Sequence, residues 1–288
     1  MRLCCVLAFF FTYPAVYCQR PPQPLTHIEA CSSFSDAIVQ VQTDKMSGTG
    51  FIVGADGWII TAFHVVADPD TLEIYDHPRI VIGNRKPIDA EVVSELDKIA
   101  SLRDFAILKV GKTLLPKLDL GIESNIESGS QVSIIGFPLS AMFPRTIPVG
   151  ATVPKFCLTG TIAAQTAFPL GNLNFLHTVY FQGVSIKGIS GAPIISLQTG
   201  KVIGVVSTKL TGIGPTLNNI RKSTSAGGDI QIIGTSGNQF GVAGPVTAIV
   251  NALDDQLANG LGSGTGASDV ANALDKAKRE YGQQHSKR

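Results

Sequence analysis

His64, Asp104 and Ser190 are the residues of this chain whose types, order and surroundings could do chemistry together. His64 lies in Thr61-Ala62-Phe63-His64-Val65-Val66 and Asp104 in Arg103-Asp104-Phe105-Ala106-Ile107-Leu108. Ser190 lies in Lys187-Gly188-Ile189-Ser190-Gly191-Ala192-Pro193. A serine hydroxyl is a poor nucleophile at neutral pH. It needs an imidazole to take its proton and a carboxylate to hold that imidazole in the right tautomer. The order His…Asp…Ser is one of several in which such a set occurs. Each residue alone has an ordinary reading: a satisfied structural histidine, a strand-capping aspartate, a Gly-Ser turn. Their occurrence together, in this order, carries the argument. Glycines at 188 and 191 allow the tight turn that an exposed nucleophile requires. The backbone N–H groups of Gly188 and Ser190, with that of Ile189 between them, are the candidate oxyanion-hole donors.

The elements that must position these residues read as short strands between turn residues. Ala37–Gln42, Phe51–Val53 and Trp58–Thr61 are β-type runs, the last two joined by a loop ending in Asp56-Gly57, a hairpin signal. Further strands are expected at 79–82, 90–93, 105–110, 131–135, 153–162, 178–181, 192–196, 202–207, 230–233 and 240–242. Many short strands with few helix-length periodic stretches argue for an all-β chain of barrels or a sandwich. Residues 111–129, with Pro116, form a bridge between two halves of similar size. Val246, Ile249, Val250, Leu253 and Leu257 repeat at helical spacing and predict a helix closing the second half. Residues 259–266, rich in glycine, read as a flexible linker. After it, Ser268 could cap a helix through Tyr281, with Val270, Leu274, Ala277 and Tyr281 on one side. A solvated tail and a docking helix fit that thin stripe equally well. Neither segment carries a site residue, so a chain ending at Leu257 is expected to fold.

Composition narrows the class. The chain has 288 residues, 44% hydrophobic and 16% charged, with 30 glycines and 16 prolines, which suits a packed, turn-rich protein. A formal net charge of +1 with no long basic run gives no field for nucleic acid. Arg2 followed by the apolar stretch Leu3–Tyr17 reads as a secretory signal over residues 1–18, too short for a comfortable membrane span. The expected location is therefore secreted or periplasmic, with no stable span after signal removal. An uncleaved N-terminal anchor is the alternative. Residues 19–33 are Pro-rich and read as an exposed leader. Of the five cysteines, Cys31 and Cys157 would outlast the signal, and whether they pair is open. The five histidines have no metal-ligand spacing, so neither metal nor cofactor is expected.

The stretch from Ser47 to about Leu253 resembles the trypsin-like peptidase domain of the HtrA/DegP type. Ser47-Gly48-Thr49-Gly50-Phe51-Ile52-Val53 is similar to that family's entry segment, and Trp58–Val66 to its histidine strand. Leu115–Gly121 and Gly129–Pro138 resemble its inter-barrel segment, and Gly200–Ser207 the strand after its nucleophile. The resemblance implies two six-stranded antiparallel β-barrels with a C-terminal helix, in a domain over 34–257. The first barrel would span about 34–115 and the second about 128–257, followed by a linker and tail over 258–288. It implies catalytic roles for His64, Asp104 and Ser190, and protein or peptide substrates cleaved through an acyl-enzyme. Val184, Ser185, Val206, Ser207 and Thr208 would line the substrate pocket. No acidic residue falls among them, so small or medium apolar side chains are the expected fit.

Three departures from the family pattern stand out. Ile189 occupies a position usually held by Asn or Asp. An ionic latch to a freed N-terminus, as in pancreatic-type zymogens, is therefore not expected. Ala192 replaces a glycine after the serine. The stretch after Leu253 is too short for a PDZ domain. These departures leave a rival reading, a catalytically silent trypsin-like fold that binds peptides or proteins.

Overall fold

In the computed structural model the described residues are 23–83, 85–95, 97–111, 116–138, 153–170, 174–183, 188–207, 231–233, 239–241 and 261–285. The chain enters them through a short helix, α1 (His27–Phe34). A capping box starts it: Thr26 N–H donates to the Glu29 carboxylate (2.8 Å), and Glu29 N–H donates to Thr26 Oγ1 (3.2 Å). Two ties hold this helix to the rest of the protein. Leu25 N–H donates to the Leu197 carbonyl (2.7 Å), and a disulfide joins Cys31 to Cys157, 126 residues away. The segment expected as an exposed leader is thus, from His27 on, a docked helix. Its cap and its covalent tie override the proline-rich composition before it.

The first half is a seven-stranded antiparallel sheet built from β1 (Ile38–Gln42), β2 (Ser47–Gly54), β3 (Trp58–Thr61), β4 (Arg79–Val81), β5 (Ile88–Asp89), β6 (Glu91–Val92) and β7 (Ala106–Lys109). Its order is β5-β4-β1-β2-β3-β7-β6. This sheet is the first of the two expected barrels, nearly closed and with seven strands where six were expected. The edge strands β5 and β6 are two residues each and are separated only by Ala90. The chain itself turns the corner, and the sheet nearly closes without a ladder across that gap. Two short helices connect its strands, α2 (Phe63–Val66) and α3 (Lys98–Arg103).

The second half holds β8 (Gln131–Gly136), β9 (Phe156–Leu170), β10 (Asn174–Gly183), β11 (Pro193–Ser196), β12 (Val202–Ser207), a separate hairpin of β13 (Gln231–Ile233) and β14 (Gln239–Gly241), and β15 (Leu261–Gly266). Six of these strands close a barrel in the order β10-β15-β12-β11-β8-β9. The sixth strand is the segment expected to be a flexible linker. β15 pairs with β10 over Leu261–Thr265 and with β12 over Ser263–Gly266. Its glycines serve close approach. A Cβ at Gly262 would lie 2.2 Å from the Phe181 ring, and one at Gly264 would lie 2.4 Å from the Val205 carbonyl oxygen. With a strand period of two, Gly262, Gly264 and Gly266 fall on one face, so only glycine lets that face meet its neighbours.

Helix α4 (Ala267–His285) follows. Of the two readings of the tail, the structure takes the docking helix. Val270, Leu274 and Ala277 are buried in one apolar cluster with Trp58, Ile60, Phe105 and Ile107 of the first half and Ile195 and Val205 of the barrel. The Tyr281 ring meets Trp58 edge-on at 5.6 Å. The helix expected over 245–257 lies outside the described residues. No described helix is long and apolar enough to cross a membrane.

The inter-half segment is laced to both sides. Leu118 N–H donates to Ile52 of β2 (2.8 Å), while Gly121 N–H donates to Val202 of β12 (2.7 Å).

Three predictions test this architecture. A chain ending at Leu257 lacks the sixth barrel strand and the helix that seals the seam, so it will show no cooperative thermal transition, against the sequence-based expectation. In the full chain Leu274→Ala will lower unfolding free energy by about 2–5 kcal/mol, read by urea titration. Removing the cross-link by Cys31→Ser with Cys157→Ser will cost about 2–5 kcal/mol in the same assay.

Candidate active site

His64 is set by its neighbours. β3 runs out at Thr61, and the single turn of α2 buries Phe63, Val65 and Val66. These apolar anchors fix the turn and leave His64 as the partly exposed position between them. Asp104 closes α3 in a left-handed conformation (φ 51°, ψ 44°), with its N–H donating to the Ala100 carbonyl (2.9 Å). Aspartate tolerates this region better than bulkier residues do. Its carboxylate is 1% exposed.

A buried carboxylate needs donors. His64 supplies two: its backbone N–H donates to Oδ1 (3.1 Å), and Nδ1 lies 2.9 Å from each carboxylate oxygen. The Ser207 hydroxyl, from the second barrel, donates to Oδ2. With Nδ1 facing a carboxylate, the proton of the neutral ring sits on Nδ1, and Nε2 is left as the basic nitrogen.

Ser190 follows Gly188 (φ 95°) and precedes Gly191 (φ 86°), both in conformations that favour glycine. The residue is 4% exposed, so the turn is enclosed rather than open as the sequence reading expected. Ile189, the departure before the serine, is fully buried among Ile134, Val179, Ile194 and Val206 inside the barrel. A hydrophobic anchor therefore occupies the place where an acidic residue would form an ionic latch. The Ile189 carbonyl accepts from Ala192 N–H (2.9 Å). A trans peptide opposes its C=O and N–H, so the Ser190 N–H points away from that turn.

Of the expected pocket residues, Val206 is buried inside the barrel, and Ser207 directs its hydroxyl to Asp104 while lining a small cleft with Leu176, Thr178 and Thr265. Val184, Ser185 and Thr208 lie outside the described residues. Sequence reasoning missed Ser207 as a carboxylate donor because a serine at a strand end has no distinguishing local signal. It also missed Thr49. Thr49 is fully buried, and its hydroxyl donates to the Gly188 carbonyl (2.8 Å) and accepts from Phe137 N–H (2.9 Å). The tail contributes as well. The Thr265 hydroxyl of β15 donates to the Arg103 carbonyl, one residue before Asp104. Asp269 of α4 accepts from His177 N–H (2.9 Å) and stands 3.9 Å from Arg103 Nε.

His27, Cys31 and Cys157 bring possible ligand atoms within 4.8 Å of one another, but the two sulfurs are bonded to each other. That group offers a metal ion only an imidazole.

Comparison with known proteins places this geometry. The trypsin-like peptidase domain family matches residues 48–205, more than half of the chain. The chain belongs to that family. All three candidate catalytic segments fall inside the matched span. Among curated relatives, a probable periplasmic serine endoprotease DegP-like of Hahella chejuensis is 31% identical over 173 residues, covering 60% of this chain and 32% of that protein. The mitochondrial serine protease HTRA2 of Bos taurus is 30% identical over 166 residues, covering 57% of this chain and 32% of that protein. The matched region thus spans about a third of the length of these relatives. Among solved structures, the inactive form of a serine-to-alanine mutant of Rv3671c from M. tuberculosis H37Rv shares the fold. Its TM-score is 0.54 at 18% identity, with 90% of this chain and 97% of that chain covered.

Ser207→Ala will leave the buried carboxylate one donor short. Unfolding free energy should fall by about 1–3 kcal/mol, measured by urea titration. An unchanged midpoint would remove Ser207 from the carboxylate's environment.

Proposed function

We propose that this trypsin-like peptidase domain is a serine endopeptidase that cleaves peptide bonds in protein or peptide substrates through an acyl-enzyme. The observation that carries the reading is the His64–Asp104 pair. A fully enclosed carboxylate bonded to both Nδ1 and the backbone N–H of one histidine fixes the ring and its tautomer. That arrangement prepares an imidazole to act as base through Nε2.

In this mechanism the Ser190 hydroxyl attacks the substrate carbonyl carbon while His64 Nε2 takes its proton. The carbonyl oxygen becomes an oxyanion held by the N–H groups of Gly188 and Ser190, with that of Ile189 adjacent. The tetrahedral intermediate collapses, the C–N bond breaks, and His64 returns the proton to the leaving amine. Water then attacks the ester by the same route, and Ser190 is regenerated. Asp104 stays ionised and stabilises the imidazolium formed in each half-reaction. The scheme requires no metal or cofactor. The apolar stretch at the N-terminus and the periplasmic naming of relatives support work outside the cytoplasm.

A fluorophosphonate probe will label the protein, and peptide mapping will place the adduct on Ser190. Ser190→Ala will abolish labelling and lower turnover of an unfolded protein substrate on the order of 10⁶-fold, with an unchanged melting curve. Asp104→Asn will lower turnover by about 10⁴-fold, because the ring is then held in the wrong tautomer. A protein that melts normally yet takes no label at Ser190 would instead be a binding module on the same fold.

A further inference from the structure

We infer that Thr49 is a positioning residue for the oxyanion hole: its side-chain hydroxyl locks the Gly188–Ile189 peptide, and with it the N–H groups that flank the nucleophile. The inference rests on the reading of Ser190 as that nucleophile.

Thr49 belongs to β2 of the first sheet, whereas Ser190 belongs to the second barrel. The two meet through paired backbone and side-chain bonds. Thr49 N–H donates to the Ser190 carbonyl (2.9 Å), and Thr49 Oγ1 donates to the Gly188 carbonyl (2.8 Å). The same oxygen accepts from Phe137 N–H at the end of β8 (2.9 Å), which orients the hydroxyl proton toward Gly188. The Thr49 carbonyl accepts from the Thr61 hydroxyl (2.7 Å), three residues before His64. One buried residue therefore grips the serine turn on both sides of Ser190 and ties it to the strand that delivers the histidine.

The packing around Thr49 is built for this contact. A Cβ at Gly136 would lie 2.7 Å from Thr49 Oγ1, and one at Gly191 would lie 2.2 Å from the Thr49 carbonyl oxygen. A Cβ at Gly48 would stand 3.0 Å from the Ser190 carbonyl oxygen. Glycines on three separate segments thus clear the space in which strand and turn come together.

The chemical consequence follows from peptide geometry. Gly188 sits at φ 95°, where the backbone is free to rotate because no side chain limits it. Fixing its carbonyl fixes ψ of Gly188. That sets the direction of the Gly188 N–H relative to the Ser190 N–H, and the two must converge on one oxygen. In many trypsin-like peptidases an acidic side chain before the serine helps to set this loop. Here Ile189 is a buried apolar anchor, which fixes a position but cannot direct a carbonyl. The directional bond comes from Thr49.

Donors in an oxyanion hole act mainly on the charge that develops in the transition state, so misdirecting them lowers kcat more than it raises KM. Thr49→Val keeps the side-chain shape and removes the hydroxyl; Thr49→Ser keeps the hydroxyl and removes a methyl. In the full chain, peptide turnover is compared with inhibition by a peptide boronic acid, whose tetrahedral adduct places an oxygen in the hole, and by the same peptide as an unreactive amide. Thr49→Val should lower kcat by about 10- to 100-fold with KM changed less than about threefold. The boronate should weaken in parallel with kcat while the amide holds its affinity. Thr49→Ser should restore most of kcat. Should Thr49→Val fail to melt cooperatively, Thr49→Ala takes its place in the same measurements. Parental kcat in a folded variant lacking the hydroxyl would overturn the inference. So would equal weakening of boronate and amide, or folding of Thr49→Ser when neither hydroxyl-free variant folds, since the hydroxyl would then be a fold contact alone. Labelling of Ser190 in the parent is the separate check on the nucleophile: absence of label there defeats the functional reading, whereas a labelled parent with an unaffected Thr49→Val defeats only this one.

Discussion

A carboxylate enclosed at the seam between two sheets is the constraint on which this structure turns. Asp104 cannot stay ionised there unless the protein replaces the water it has lost, and an unpaired buried charge costs several kcal/mol. The donors come from both halves: His64 from the first half, Ser207 from the barrel. Satisfying one oxygen pair therefore requires the two sheets to dock in a single relative position. The same docking brings β2 against the serine turn, where Thr49 bonds to Gly188 and Ser190. The polar seam specifies geometry, and the apolar cluster around it supplies the driving force.

That cluster is not complete within either sheet. It joins Trp58, Ile60 and Phe105 to Ile195 and Val205, and Val270 and Leu274 of α4 close it. The helix can reach the seam only because β15 first carries the chain across the barrel. β15 can fit between β10 and β12 only because glycines remove side chains from its crowded face. A Gly-rich stretch is thus a tightly packed strand of the barrel. The helix then returns polar contacts to the site's support: Asp269 reaches His177 and approaches Arg103, beside Asp104. Its first turn is held in addition by Glu123, which accepts from Ser268 N–H (2.9 Å) and from the Ser268 hydroxyl.

The serine loop shows how a family scaffold accommodates an unusual residue. Ile189 exchanges a directional, pH-dependent latch for burial among aliphatic side chains. Burial holds a loop in place without choosing which way its peptides face. Direction comes from the neutral hydrogen bonds of Thr49 on the opposite sheet. The organisation of such a loop depends on the two halves being packed together.

The order of His64, Asp104 and Ser190, the turn glycines beside Ser190, and most strands up to Ser207 were legible in the sequence because each is a local property of residue type and period. The stripe Val270, Leu274, Ala277 was legible for the same reason, though not its destination. Tertiary structure alone decided the rest. Residues 261–266 form a strand because of what Phe181 and Val205 leave no room for, a fact absent from the segment's own composition. Ser207 bonds to a carboxylate because Asp104, more than a hundred residues away, is buried beside it. Thr49 acquires its role from Gly188, 139 residues distant. Sequence fixes which groups can donate, accept or pack; only the closed fold determines which of them lose their water together, and that loss is what makes their pairing compulsory.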